Sequence, residues 1–185
     1  MFESIGQEPG VRSDSAPGQM GEIEVRSATQ ADRLPLSRML ELYQHDLSDV
    51  WDQDLDEVGR YGYSLDKYWG HPRCRAFVFL VAGKYAGFAL VDDSVSLREN
   101  ERWMAQFFVV RKYRRQGIGS EAAKRVFDLM RGRWEVGQMR KNLPAQAFWR
   151  RVIAEYTGGR FAEHDLADDR WDGLLQCFDN AVRTA

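Results

Sequence analysis

The sequence predicts an α+β fold in which one sheet is layered with helices. Three patterns carry this reading. An apolar run over 76–82 is followed at once by a second apolar run over 85–91. After Gly117, apolar residues recur at helical spacing, and they do so again after Pro144. Short buried strands alternating with helical stripes place the chain among layered α+β domains.

The elements follow in chain order. A short strand over 23–26 opens the domain. Thr29 with Asp32 carries a helix N-cap signature, and Leu36, Met39, Leu40 and Tyr43 recur at helical spacing. Pro35 restricts where that helix starts, since proline belongs in a first turn. Residues 44–73 are polar and aromatic, broken by Gly59, Gly62, Gly70 and Pro72, and predict one short helix plus loops. The run 76–82 reads as a buried strand, Gly83-Lys84 as a two-residue hairpin turn, and 85–91 as the returning strand. A polar loop over 92–100 leads to a third strong strand at 103–110, the fourth in the chain. Gly117 opens an amphipathic helix that places Ile118, Ala122, Ala123, Val126, Phe127 and Met130 on one face. Residues 134–139 read as a strand. Pro144 marks a first helical turn, followed by the stripe Ala145, Phe148, Trp149, Val152, Ile153 and Tyr156, until Thr157-Gly158-Gly159 ends the helix. A last strand spans 171–178, so the predicted order is β-α-α-β-β-β-α-β-α-β.

The chain has 185 residues, which suits one domain with a tail. Residues 1–20 are rich in Gly, Ser, Pro and acidic residues without periodicity and predict a mobile tail, leaving 21–185 as a single domain. With 26 basic and 28 acidic side chains the net charge is −2, so no global field gathers nucleic acid or an anionic membrane. Cys74 and Cys177 form no C-x-x-C pair and read as free thiols of a reducing compartment, with a single disulfide between them as the alternative. His45, His71 and His164 are scattered without ligand spacing, so no metal site is expected. There is no secretory signal and no apolar stretch near the ~20 residues a bilayer span needs, and the expected location is cytoplasmic.

Residues 107–120 carry the chemistry. They run strand, basic turn, glycines, helix. Gly117 and Gly119 let backbone amides approach a ligand without an intervening Cβ. The first amides of a helix lack internal partners, and the helix dipole is positive there. Together they form a socket suited to a pyrophosphate, with Arg111, Lys112, Arg114 and Arg115 beside it. A basic surface turn ahead of a glycine-opened helix is the plainer alternative. A Walker loop is excluded because no Gly-Lys-Ser/Thr occurs. A dinucleotide fingerprint is disfavoured because the turn follows the fourth strand and opens no βαβ unit.

The segment Val109-Val110-Arg111-Lys112-Tyr113-Arg114-Arg115-Gln116-Gly117-Ile118-Gly119-Ser120 resembles motif A of the GNAT superfamily of acetyltransferases, Q/R-x-x-G-x-G/A, with Arg114, Gly117 and Gly119 at its fixed positions. About 25 residues later, Asn142-Leu143-Pro144-Ala145-Gln146-Ala147-Phe148-Trp149 resembles the family's downstream block N-x-x-A-x-x-F-Y. The resemblance spans roughly residues 22–178, and the stretch 134–159 is similar to a bacterial branch of predicted acetyltransferases. It implies a mixed, mostly antiparallel sheet flanked by helices, acetyl-coenzyme A as cofactor, and a small-molecule or peptide amine as acceptor. A homodimer is the family-level expectation.

The resemblance also implies roles. Backbone groups near Phe108, Val109 and Val110 would pair with the pantetheine arm as an added strand does. Amides of Arg115, Gln116, Gly117, Ile118, Gly119 and Ser120 would hold the pyrophosphate. Asn142 would reach the cofactor, with Ala145 and Phe148 lining its thiol end. Asn142 as an ordinary helix cap and Phe148 as core packing are the alternatives.

In this family the amine attacks the thioester directly. The oxyanion needs a donor, which a strand amide around Phe108 and Val109 could supply. Trp149 stands where many members carry a tyrosine acid, and an indole cannot supply a proton at neutral pH. Tyr156 is the substitute acid, with core packing as its alternative. Gln106 stands near the usual glutamate base, where it can orient an amine but not take its proton. Glu101 is a second candidate, with a solvated loop charge as its alternative, and a water chain would also suffice. The acidic, aromatic stretch 44–73 points to a cationic amine, or simply to a solvated acidic face. An acyl-coenzyme A sensor without turnover is the alternative function.

Overall fold

The computed structural model describes residues 22–181, so the expected tail over 1–20 lies outside the described residues. The strands are β1 (Ile23–Ser27), β2 (Arg75–Val81), β3 (Lys84–Asp92), β4 (Arg102–Val109), β5 (Arg133–Met139), β6 (Ala162–Asp168) and β7 (Trp171–Asp179). The helices are α1 (Arg33–Trp51), α2 (Lys67–Gly70), α3 (Ile118–Leu129) and α4 (Leu143–Thr157). The strands form one sheet in the order β1-β2-β3-β4-β5-β7-β6. Neighbours run antiparallel except β4 and β5, which are parallel. This is the mixed, mostly antiparallel α+β architecture expected.

Continuous apolar runs form β2 and β3 because both faces of the sheet are covered. Phe77 and Phe79 join the core beneath α3 and α4, while Ala76, Val78 and Leu80 join the one beneath α1 and α2. Phe127 centres the first core, with its ring 4.9 Å from both Trp134 and Phe178. On the opposite side, Tyr43 of α1 sets its ring 6.0 Å from Phe88 and 5.9 Å from Phe108. No helix among the described residues is long and apolar enough to cross a membrane. Cys74 and Cys177 are both free.

Three local readings change. Helix α1 begins at Arg33, which places Pro35 harmlessly in its first turn. It then continues to Trp51, well into the stretch expected to be loop, because residues 44–51 contain neither Gly nor Pro. Asp52, at φ 51°, ends it in the left-handed region. The β2–β3 turn is Ala82-Gly83, at φ 49° and 71°, with Lys84 already paired to Val81. Two positive φ values match the right-handed strand twist of a hairpin. Finally, β6 adds a strand where none was expected. It is nearly all exposed and pairs with β7 alone, so it lacks apolar alternation. Its charges are matched instead, through Arg150 to Glu163 and Arg140 to Asp165. Charge on an edge strand also discourages edge-to-edge association.

Two buried carboxylates fix the connections. Glu135 accepts bonds from Ser96 N at 2.7 Å, Leu97 N at 3.0 Å and Asn100 Nδ2 at 3.0 Å, which pins the β3–β4 loop to β5. Asp32 accepts from Thr29 N at 2.7 Å, Arg26 at 2.7 and 2.9 Å, and Tyr85 OH at 2.7 Å. It thereby ties the turn before α1 to β1 and β3. The Arg26 guanidinium, outweighing burial, holds the Asp32 carboxyl well below the usual carboxylate range. A folded-state value below the unfolded one gives stability that is present above about pH 4 and is lost as pH falls further. Asp32→Asn should cost about 2–3 kcal/mol at neutral pH. The gap between wild type and variant in urea titrations should shrink steadily as pH falls below about 4.

Candidate active site

The site begins where two strands stop pairing. β4 and β5 are joined only at Arg102↔Trp134 and Trp103↔Glu135. Just beyond, the β3 register steps from Val91↔Met104 to Leu90↔Gln106, which leaves Ala105 as a bulge. The parted strands open a cleft of about 1210 Å³ that reaches from α1 to the starts of α3 and α4.

Beyond Trp103, one edge of β4 pairs with no strand along this cleft among the described residues. Val110 N donates to Ala86 O at 2.8 Å, and Phe108 stands opposite Phe88. In an antiparallel ladder this directs the backbone groups of Phe108 and Val110 to β3, and those of Phe107 and Val109 to the cleft. Of the three residues expected to face a pantetheine arm, Val109 does, Phe108 and Val110 do not, and Phe107 joins it. The amide offered to an oxyanion is therefore that of Phe107 or Val109.

The turn after β4 contains a short 3-10 segment, Arg111–Tyr113, and then Arg115 at φ 61° and Gly117 at φ 80°. Glycine adopts that conformation without steric cost. No side chain caps Gly117, and Glu121 N to Gly117 O, at 3.1 Å, starts the helical ladder. The amides of Ile118, Gly119 and Ser120 thus precede the ladder. Gly117, Gly119 and Ser120 line the cleft with Arg115. A Cβ on Gly119 would sit 3.4 Å from both Phe148 and Val109, so the helix start is packed closely against the cleft wall.

The four cations divide, and Lys112 lies outside the cleft lining with its Nζ 5.3 Å from the Tyr113 ring. Arg111 donates to Asp46 of α1 at 2.8 Å, and Arg114 holds the other oxygen of the same carboxylate. Arg114 Nε also donates to Val109 O at 2.6 Å, and its guanidinium lies 5.4 Å from the Phe108 ring. Burial alone would raise the Asp46 carboxyl, but bonds from Arg114 and Arg111 outweigh it and hold it low. Arg114 and Arg115 both line the cleft, and Arg114 is in addition a brace within the site. Lys141 and Arg151 line the cleft as well. Nothing in the sequence singles out these two beyond their nearness to Asn142 and Phe148.

At the start of α4, Asn142 Oδ1 accepts from Ala145 N at 3.1 Å, so Asn142 is the helix cap. Asn142, Ala145 and Phe148 all line the cleft. Phe148 is also half-buried, 5.9 Å from Phe107. Trp149 is 6% exposed and packs 4.9 Å from Phe107.

Two candidate acid-base residues fall elsewhere. Tyr156 lies outside the cleft lining, two turns along α4, where its OH donates to Asp128 at 3.0 Å and accepts from Asn180 at 3.0 Å. Burial also pushes its hydroxyl up, away from useful acidity. Glu101 pairs with Arg133 at 3.1 Å, and the Arg133 amide and guanidinium hold its carboxyl below the usual range. Both are structural. Gln106 does line the cleft, 8% exposed, with no hydrogen-bond partner for Oε1 among the described residues.

The acidic stretch resolves in the same way. Asp46 and Asp49 line the cleft, whereas Asp52, Asp54, Asp56 and Glu57 are exposed outside it. Against the expectation that no histidine has ligand spacing, His71 and Cys74, three residues apart, bring their ligand atoms within 4.8 Å of one another and of Asp93. Arg73 sits 3.4 Å from that Asp93 carboxylate.

A family model described as the acetyltransferase (GNAT) family matches residues 36–153. No curated protein matches the sequence significantly. Among solved structures, an acetyltransferase from Thermus thermophilus aligns with TM-score 0.61 and 16% identity, over 85% of this chain and 96% of that one. The ribosomal-protein-S5-alanine acetyltransferase from Vibrio fischeri aligns with TM-score 0.60 and 13% identity, over 90% and 97%. Spermidine N-acetyltransferase from Vibrio cholerae, solved with CoA and spermine, aligns with TM-score 0.52 and 12% identity, over 84% and 93%. With its splayed β4–β5 pair, its uncapped glycine-led helix and a family model matching more than half its length, the chain belongs to the GNAT acetyltransferase family.

Proposed function

We propose that the protein transfers an acetyl group from acetyl-coenzyme A to a primary amine by direct attack, in the cytoplasm. The observation that carries this is the uncapped start of α3 beside the bare edge of β4. The first suits a pyrophosphate and the second suits the amides of a pantetheine arm. Arg115, Lys141 and Arg151 add positive charge along the cleft. Coenzyme A in the spermidine N-acetyltransferase structure supports the same cofactor here.

The amine nitrogen forms the new C–N bond as the C–S bond breaks. Its surplus proton passes to solvent and the sulfur leaves as thiolate. The amide of Phe107 or Val109 steadies the oxyanion. Gln106 orients the amine without taking its proton, and Asp46 is too tightly held by arginines to serve as base. The absence of a proton acceptor at Gln106 favours one second reading, a binding module that senses acyl-coenzyme A, and turnover separates the two.

Calorimetry should show coenzyme A binding in the micromolar range. Gly117→Val, which forces a side chain into the φ 80° position, should weaken it more than about tenfold while the melting temperature falls modestly. Silence of the wild type at millimolar coenzyme A would sink the proposal. Without a protein base, kcat/KM should rise with pH and follow the pKa of the acceptor, near ~10 for an alkyl amine and near ~8 for an α-amine. A rising limb at the same pH for both acceptors would instead reveal a base on the enzyme.

A further inference from the structure

We propose that the acceptor is a single amine carried on a flat apolar body, held on the α1 side of the cleft by Trp103 and Trp171 with Tyr43 and Trp51. This rests on the acyltransferase reading above and names its substrate class.

The wall is assembled from three distant parts of the chain. Trp103 is the last residue of β4 to pair with β5, so its indole floors the point where the strands part. It lies across Gly137, where a Cβ would come within 2.2 Å of the ring. Only glycine leaves room for the indole there. Trp171 opens β7 and brings its ring 5.2 Å from Trp103 at 72°. Its indole nitrogen is buried and has no partner among the described residues. From the other side α1 supplies Tyr43 and Trp51, 5.7 Å apart and edge to face. All four line the cleft, as does Gln106, which pairs with Leu90 of the α1-side core.

Charge argues the same way. Of the carboxylates lining the cleft, Asp46 is held by two arginines and Glu155 by Lys124 at 2.8 Å. Asp49 is left, so a polycation would find one carboxylate where it needs several. The unpartnered Oε1 of Gln106 can accept a hydrogen bond from the amine N–H.

The test is a coupled assay of thiol release with phenethylamine and tryptamine against spermidine, kanamycin and a lysine peptide. The aryl amines should have kcat/KM at least about tenfold higher. Trp171→Ala should erase about tenfold of that preference through KM, while Trp171→Phe keeps most of it. Coenzyme A affinity, read by calorimetry, should change less than about twofold in both, which also reports that each variant is folded. Trp103→Phe provides a second, independent reading of the wall. Equal rates for all amines, a preference for the polycations, or an unchanged preference in Trp171→Ala overturns this inference and leaves the acyltransferase reading standing. Coenzyme A binding with no amine acetylated overturns both.

Discussion

The structure depends on two parallel strands that stay together for only two residue pairs. Glu135 and Trp134 hold the closed end of β5, the first through the β3–β4 loop and the second inside the aromatic core. The bulge at Ala105 bends β4 away from it. Phe107, Phe148 and Trp149 then fill one side of the opening, with ring centroids 4.9 to 5.9 Å apart. Bare strand edges are normally a hazard in a soluble protein. Here the edge is enclosed, and the chain leaving each strand's C-terminal end starts a helix beside it. Two helix N-termini therefore flank the cleft for the same topological reason.

Electrostatics binds the two halves of the site together. Asp46 belongs to α1, yet its carboxylate is the common partner of Arg111 and Arg114 from the turn after β4. Arg114 in turn touches the carbonyl of Val109 and the ring of Phe108. Helix α1 is thus anchored to the turn after β4. Arg115 sits in the left-handed region at φ 61°, one place before Gln116 and two before Gly117. Such a conformation is costly for a residue with a side chain and persists where surrounding structure dictates it.

Much of this is legible in the sequence. The core strands and both long C-terminal helices announce themselves through periodicity, and the glycine-led turn through residue type alone. The misses have physical causes. β6 is polar because it is an edge, so the pattern that reveals buried strands is missing from it. Tyr156 shares a helical stripe with Phe148, but two turns carry it about 11 Å along the helix and out of the cleft. The direction in which each β4 amide points depends on its partner strand, which no local motif encodes. Trp171 escapes notice as a wall residue because only one strand of the hairpin that carries it is patterned.

That hairpin separates two kinds of adaptation. The part of the cleft proposed for the cofactor is lined by one continuous stretch, within 107–120, and by the start of α4. The acceptor wall draws on α1, on Trp103 and on a residue at the tip of the β6–β7 ribbon, where neighbouring positions are charged and open to water. Descendants of this chain could exchange that tip freely. They would acquire new acceptors while the machinery that grips the acyl donor stays as it is.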